Sequence, residues 1–203
     1  MRFYGQFNPP VDKILYENYF KNKRNGFFIE CGAYNGLLDS SCKFFEEFME
    51  WKGINVEASP RIFMNLMKNR PKSSNINVAL SDEKGKSIFR DIVTSGVADG
   101  NGSLQHHPKH IQILKNQGCG FKNVMVETIT FLDLIKIYNI IEVDLFVLDV
   151  EGCEIKVLNK MNGIMPKVCC IEYSFSGLEN IEKLMKNLNY KLDFTNEVNA
   201  FLY

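Results

Sequence analysis

The sequence lacks an excess of charge of either sign. Its 203 residues include 24 Lys and Arg and 24 Asp and Glu, so the formal net charge is zero. Proteins that bind duplex DNA or anionic membranes usually present a strong positive field, and this composition supplies none. Composition therefore disfavours nucleic acid as a partner.

Long apolar runs are also missing. No stretch approaches the length of a membrane-spanning helix. Residues 1–24 are interrupted by charges and by Pro9 and Pro10, unlike the apolar core of a signal peptide. We therefore predict a soluble, cytoplasmic protein with no membrane span.

Two further kinds of motif are absent. None of the six cysteines forms a CxxC pair or another zinc-type spacing, so we expect reduced thiols that pack as small apolar side chains. The chain also has no GxxxxGK[ST] loop and no complete GxGxxG loop. A nucleoside without a pyrophosphate is therefore better supported than a triphosphate or a dinucleotide.

What the sequence does contain is a strand that ends in an acid and a glycine-bearing turn. The apolar residues after Gly26 end at Glu30, Gly32 and Gly36 follow, and residues 40–51 can form a helix. A glycine without Cβ lets the backbone approach a ligand closely. The pattern is typical of a nucleoside-binding loop, although a simple turn gives it too.

A second acid ends the next predicted strand. Residues 53–56 are apolar enough for a short strand, and Glu57 follows them directly. In doubly wound nucleoside-binding folds, an acid at this position accepts hydrogen bonds from the ribose hydroxyls. S-adenosylmethionine is then the obvious candidate ligand.

Four blocks of the chain, in order, resemble the FkbM-type S-adenosylmethionine-dependent methyltransferases. They are residues 26–36, residues 44–46 with 51–57, residues 77–82 with Gly85, and residues 144–154 with Val157 and Leu158. The similarity runs over residues 26–174. It implies S-adenosyl-L-methionine as the cofactor and a class I, Rossmann-like α/β fold with a mostly parallel seven-stranded sheet and helices on both faces.

The resemblance also implies which residues hold the cofactor. The methionine and ribose side would be lined from the first loop and the second acid, and the adenine by the residues after a third strand at 75–81. The full set is Glu30, Cys31, Gly32, Ala33, Asn35, Glu57, Ala58, Ser81, Asp82 and Asp149. For Ser81 and Asp82, turn chemistry is the alternative role.

Residues 93–122 are the least regular part of the chain and are a predicted substrate lid. All three histidines lie there, and no acid occurs between residues 100 and 126. An imidazole from His106 or His107 can act as a general base over the substrate, although a solvated insertion has the same composition. Three histidines so spaced can also ligate a metal, but no carboxylate or cysteine lies near them, and we assign no metal ligands.

The strand predicted at residues 143–150 is the central one. It ends at Asp149, followed by Glu151, and ligands bind at this edge of open α/β sheets. Either acid can orient or deprotonate a substrate hydroxyl, or the two can share a divalent cation, whereas helix capping is the alternative. Glu172, at the end of a fifth strand, either joins the substrate side or has a structural role.

We therefore predict a leader and covering helix at residues 1–25 and one methyltransferase domain at 26–203. The catalytic residues are Asp149, Glu151, His106 and His107. The resemblance implies O-methylation of a hydroxyl on a sugar, a glycan or a small metabolite. An RNA-directed methyltransferase and a non-catalytic binding subunit remain the alternatives.

Overall fold

The computed structural model describes residues 1–94 and 97–203 and contains two β-sheets. The helices are α1 (Val11–Leu15), α2 (Lys43–Phe48), α3 (Pro60–Asn69), α4 (Pro108–Asn116), α5 (Phe131–Ile137), α6 (Glu154–Asn159) and α7 (Leu178–Asn187), with a π-helical turn at Tyr16–Phe20 and a 3-10 turn at Val97–Gly100. The strands are β1 (Phe27–Cys31), β2 (Lys52–Val56), β3 (Ser74–Ile76), β4 (Ala79–Leu80), β5 (Gly85–Val93), β6 (Gly120–Ile129), β7 (Leu145–Leu148), β8 (Val168–Glu172), β9 (Leu192–Asn196) and β10 (Asn199–Leu202).

The main sheet has seven strands in the order β3-β2-β1-β7-β8-β10-β9. Strands β3, β2, β1, β7 and β8 are parallel, and β10 runs antiparallel to both β8 and β9. The order reverses direction between β1 and β7, and ligands bind at such a switch point in open sheets. The predicted mostly parallel seven-stranded sheet is confirmed.

Helices cover both faces of this sheet because side chains alternate along each strand. On β1, Phe28 packs with Phe44 and Phe45 of α2. The next residue, Ile29, packs on the opposite face in the cluster that contains helices α5, α6 and α7. Two separate apolar cores, one on each face of the sheet, therefore fix the position and orientation of the carboxyl end of β1.

The third predicted strand, at residues 75–81, is wrong as a single element. The chain forms β3 in the main sheet and β4 in a second sheet of order β4-β6-β5. Between them Asn77 donates from Nδ2 to the carbonyl oxygens of Glu57 and Ala58, at 2.7 and 3.1 Å. Because these bonds tie the chain to the end of β2, β4 leaves the main sheet and pairs with β6.

Strands β5 and β6 pair with each other along almost their whole length, from Gly85↔Thr128 to Val93↔Gly120. They do not extend the edge of the main sheet. The predicted lid is not irregular throughout, because Pro108–Asn116 form helix α4. His107 caps the first turn of α4, where its side chain accepts from Lys109 N. Residues 95 and 96 of that lid lie outside the described residues.

The predicted covering helix within residues 1–25 is divided into α1 and the π-helical turn that follows it. Within residues 1–94 and 97–203, no helix combines the length and apolar character that crossing a bilayer requires.

Candidate functional site

A cavity of about 840 Å³ opens at the carboxyl ends of β1, β2, β7 and β8. The parallel register aligns the last residues of these strands, because Cys31 pairs with both Val56 and Leu148, and Leu148 pairs with Ile171. The residues that follow each strand therefore meet at one edge. The opposite wall comes from the segment after β5, including Asn101, Leu104 and His110.

The turn after β1 is pressed against the end of β7. Gly32 has φ +81°, and a Cβ there would lie 1.7 Å from the backbone oxygen of Asp149. The amides of Gly32 and Ala33 both donate to the carbonyl oxygen of Val56 at 3.1 Å. Only glycine fits between the two strand ends, and its backbone faces the cavity.

Glu57 follows β2 and is 7% exposed. Its carboxylate accepts from the amide of Tyr34 at 3.0 Å and from that of Ser59 at 2.7 Å. Burial raises the pKa of Glu57 to about 7, although both hydrogen bonds oppose this shift. The Tyr34 hydroxyl donates to Asp99 in the 3-10 turn, so this loop also contacts the segment across the cavity.

Glu30 lies in β1, just before the same loop, and its carboxylate is already bonded to other protein groups. Its carboxylate accepts from Ser40 Oγ at 2.9 and 3.0 Å and from the Cys42 amide at 3.1 Å, and it pairs with Arg70 at 3.2 Å. Glu30 forms part of the cavity wall. Its bonds indicate that it holds the loop in place.

The other predicted cofactor residues divide into two groups. Cys31, Gly32, Ala33, Glu57, Ala58 and Asp149 line the cavity, as predicted positions for a ligand require. Asn35, Ser81 and Asp82 do not. The Asn35 side chain accepts from the amides of Leu37 and Leu38 at 2.9 Å, and Ser81 Oγ donates to Asp82 Oδ1 at 3.0 Å.

Where Ser81 and Asp82 were predicted to bind adenine, the cavity wall is instead apolar and comes from the residues just before them in sequence. Val78, Ala79 and Leu80 line it. Strand β4 turns these residues toward the cavity because it belongs to the second sheet, which the sequence did not reveal. A planar apolar base fits such a wall.

Three carboxyls converge at the ends of β7 and β8. Oxygen atoms of Asp149, Glu151 and Glu172 all lie within 4.8 Å of one another. Burial is the main cause that raises the pKa of each of them, and neighbouring carboxyls add to it. At neutral pH this group therefore has an unusually high affinity for protons or for other positive charge.

The loop that carries Glu151 has a strained backbone, and hydrogen bonds to the Glu154 side chain hold it in place. Glu151 has φ +58°, a left-handed conformation that is rare for a residue with Cβ. Glu154 Oε1 accepts from the amides of Val150 and Gly152, both at 3.1 Å, and its other oxygen accepts from Ser176. These bonds aim the Glu151 side chain into the cavity.

The structure brings His110 to the cavity, and not the predicted His106 and His107. His106 Nε2 lies 2.7 Å from the carbonyl oxygen of Asn101, and His107 caps α4. His110 Nδ1 is 3.5 Å from Glu151 Oε2. Burial, and then the two neighbouring histidines, lower the pKa of His110 to about 4, so its imidazole is neutral at pH 7.

The His110 ring is fixed by a second aromatic residue. It stacks on Phe175 with the ring centroids 4.2 Å apart and the planes 10° apart. No sequence pattern predicted a role for Phe175. Its position after β8 is the available signal, because residues that follow parallel strands meet at the same edge of the sheet.

Comparison with known proteins gives one family match. The family model described as "Methyltransferase FkbM domain" matches residues 30–192. A search among curated proteins found no match.

Comparison with solved structures found several similar chains. The methyltransferase FkbM from Methylobacillus flagellatus KT superposes with a TM-score of 0.60 at 10% identity, over 96% of this chain and 48% of that one, so this chain spans about half the length of that protein. A TehB-like SAM-dependent methyltransferase from Corynebacterium glutamicum ATCC 13032 Kitasato has a TM-score of 0.46 at 9% identity, over 95% of this chain and 84% of that one. Fibrillarin from Aeropyrum pernix, with natively bound S-adenosyl-L-methionine, has 0.47 at 10% identity, over 96% and 73%. Only the first score exceeds 0.5, and at 10% identity it indicates a shared fold.

Proposed function

Since the chain belongs to the methyltransferase FkbM domain family, we propose that it transfers a methyl group from S-adenosyl-L-methionine to a hydroxyl oxygen of a sugar, a glycan or a small metabolite. The resemblance seen in the sequence and the cofactor it implied are confirmed by the family match. The observation that carries the proposal is one cavity whose two sides suit two ligands: a glycine loop with Glu57 on one side, and a carboxyl cluster on the other.

The donor side fits the cofactor by shape and by chemistry. A volume of about 840 Å³ lies within the range of roughly 300–1,000 Å³ typical of small-molecule sites. The backbone of Gly32 and Ala33 would hold the methionine end, Glu57 the ribose hydroxyls, and Leu80 the base. When bound, the cofactor supplies a methyl group attached to a positively charged sulfur. As the acceptor oxygen bonds to the methyl carbon, the bond between that carbon and the sulfur breaks and the sulfur is released.

The acceptor side must remove the hydroxyl proton, because a neutral hydroxyl is a weak nucleophile. The raised pKa of Glu151 makes its carboxylate a stronger base than an ordinary glutamate. The neutral imidazole of His110 faces it at 3.5 Å and offers a second position for the proton. We assign proton uptake to this pair, with Phe175 as the aromatic surface beside it.

The charge of the cavity favours a neutral acceptor over RNA. Lys109, Lys115 and Lys122, in the acid-free segment that gave RNA some support, are exposed, and none of the three lines the cavity. Three carboxyls stand where an RNA acceptor would enter, whereas proteins that bind single strands present a positively charged groove. A non-catalytic subunit, the other alternative, would have no use for a strained Glu151 aimed at the donor side.

The test is transfer of label from methyl-labelled cofactor to a panel of sugars, oligosaccharides, polyhydroxy metabolites and total RNA. We expect label in hydroxyl compounds, and a loss of about 100-fold or more in the Glu151→Gln variant if Glu151 takes the proton. Glu182→Gln is the matched control, because Glu182 is exposed on α7. Label in RNA alone would support the RNA alternative, and no transfer by protein that binds S-adenosylhomocysteine would support the binding subunit.

A further inference from the structure

The carboxyl cluster has more negative character than the surrounding protein balances. No Lys or Arg nitrogen within the described part of the chain lies within 4.0 Å of Asp149, Glu151 or Glu172. Asp149 Oδ1 and Glu172 Oε2 are buried, and no donor group of the described protein outside the carboxyl cluster bonds to either oxygen. Buried oxygens of this kind are normally paired, so the group is built to receive something positive.

His110 is a second, independent observation that points to a ligand at the same place. It is 3% exposed, and its Nδ1 has no hydrogen-bond partner among the described groups. Its Nε2 is engaged by Asn101 Oδ1 at 3.2 Å, and its ring is held against Phe175. The imidazole is therefore fixed in an orientation that leaves Nδ1 facing Glu151 Oε2.

We propose that Asp149, Glu151 and Glu172 bind one divalent cation, Mg²⁺ or Mn²⁺, which holds the acceptor. Carboxylate oxygens are the ligands these hard ions prefer. Adjacent ligands of an octahedral ion with bonds of about 2.1 Å lie about 3 Å apart, and these oxygens already lie within 4.8 Å of one another. Small side-chain movements therefore complete the site.

Three protein ligands leave three octahedral positions open. The acceptor class that uses them best has two neighbouring oxygens, such as the vicinal diol of a sugar, with water in the third position. A hydroxyl bound to the cation loses its proton more readily, as metal-bound water does. The released proton goes to the pair of Glu151 and His110 assigned above. The choice of acceptor rests on the proposed function, whereas cation binding does not.

Glu154 is the positioning residue of this site. Its bonds to the amides of Val150 and Gly152 hold Glu151 at φ +58°, and without them the loop could relax and turn Glu151 away. Strain of this kind persists at sites where a side chain must be aimed at a ligand.

The test is a calorimetric titration of chelator-treated protein with MnCl₂, run beside a titration with S-adenosylhomocysteine. We expect one Mn²⁺ per wild-type chain and at least a 10-fold weaker affinity for Glu172→Gln, because loss of even an outer partner of a metal site costs about 10–100-fold. Glu182→Gln should bind Mn²⁺ like the wild type. The cofactor product should bind all three proteins equally well. If Glu172→Gln fails to fold by circular dichroism, Glu151→Gln replaces it with the same expectation.

Wild type that binds S-adenosylhomocysteine but not Mn²⁺ overturns the cation site and leaves the proposed function standing. Equal Mn²⁺ affinity in wild type and Glu172→Gln also overturns it, since the ion would then bind elsewhere. Folded wild type that binds neither ligand overturns both proposals.

Discussion

Replacing Arg70 tests what holds the donor loop in place. This arginine follows α3 and is completely buried. Its Nη1 lies 3.2 Å from Glu30 Oε2 and 3.3 Å from the carbonyl oxygen of Gly36, and its Nε lies 2.9 Å from Glu46 Oε2. One guanidinium thus joins the back of the Gly32 loop to helix α2.

The expected loss of stability follows from the buried carboxylates that lose their Arg70 partner in Arg70→Met. Burial opposes ionisation of Glu46, but Arg70, Ser73 and Lys43 together outweigh burial and keep the pKa of Glu46 below its ordinary value. Methionine fills much of the same space, leaves the buried Glu30 carboxylate without its cationic partner, and leaves Glu46 with Lys43 alone, at 3.5 Å. Breaking a buried pair in this way costs about 3–5 kcal/mol. That is a large part of the roughly 5–15 kcal/mol that stabilises a typical domain, and it should lower Tm by about 10 °C.

The assay is urea unfolding followed by circular dichroism, with thermal melting in parallel. Arg24→Met is the matched control, because Arg24 is 56% exposed and only 3.8 Å from the equally accessible Glu50. Such a surface pair contributes about 0–1 kcal/mol. Combining Arg70→Met with Glu30→Gln and Glu46→Gln should restore part of the loss, since no buried charge then remains unpaired. Equal losses for Arg70→Met and Arg24→Met would refute the reasoning.

Two further predictions concern the donor side. Gly32→Ala should lower the free energy of unfolding by about 3 kcal/mol and abolish S-adenosylhomocysteine binding, because it combines left-handed strain with a clash at 1.7 Å. Gly118→Ala is the control, because Gly118 has φ +76° and nothing lies within 4 Å of its added Cβ. It should show only about 1 kcal/mol of strain by urea unfolding. The ribose hydroxyls donate best to ionised Glu57, so calorimetric affinity for S-adenosylhomocysteine should fall about 10-fold from pH 8 to pH 6, through the pKa of about 7. A Glu57→Gln variant should show weaker binding and no such slope, and a slope unchanged by that substitution would assign the titration to another group.

The predictions from sequence succeeded where the signal was local. An apolar strand followed by an acid or a glycine turn is a pattern of adjacent residues, and it located Gly32, Glu57 and Asp149 at the cavity. Ser81 and Asp82 failed to reach the cavity wall for a reason that is not local. Asn77 ties its segment to the end of β2, which moves β4 into the second sheet and brings Leu80 to the cavity instead.

The histidines show the same difference between a local sequence signal and a long-range packing contact. The sequence placed all three in one segment and gave no physical reason to prefer His110, because neither the start of α4 nor its rotation about its own axis is encoded in the spacing alone. Packing against Phe175 fixes that rotation. It turns His110 toward Glu151 and leaves His107 as the cap of α4.

By itself, the sequence determined the fold class and the identity of the acids that end the strands, since hydrophobic patterning and turn residues act over a few positions. Only the tertiary structure decided which carboxyls share one space. Glu172 joins Asp149 because β8 pairs with β7 in register, and Glu30 is taken by Arg70, which is 40 residues away in sequence. Contacts between residues so far apart depend on how the sheets and helices pack, and no local pattern specifies them.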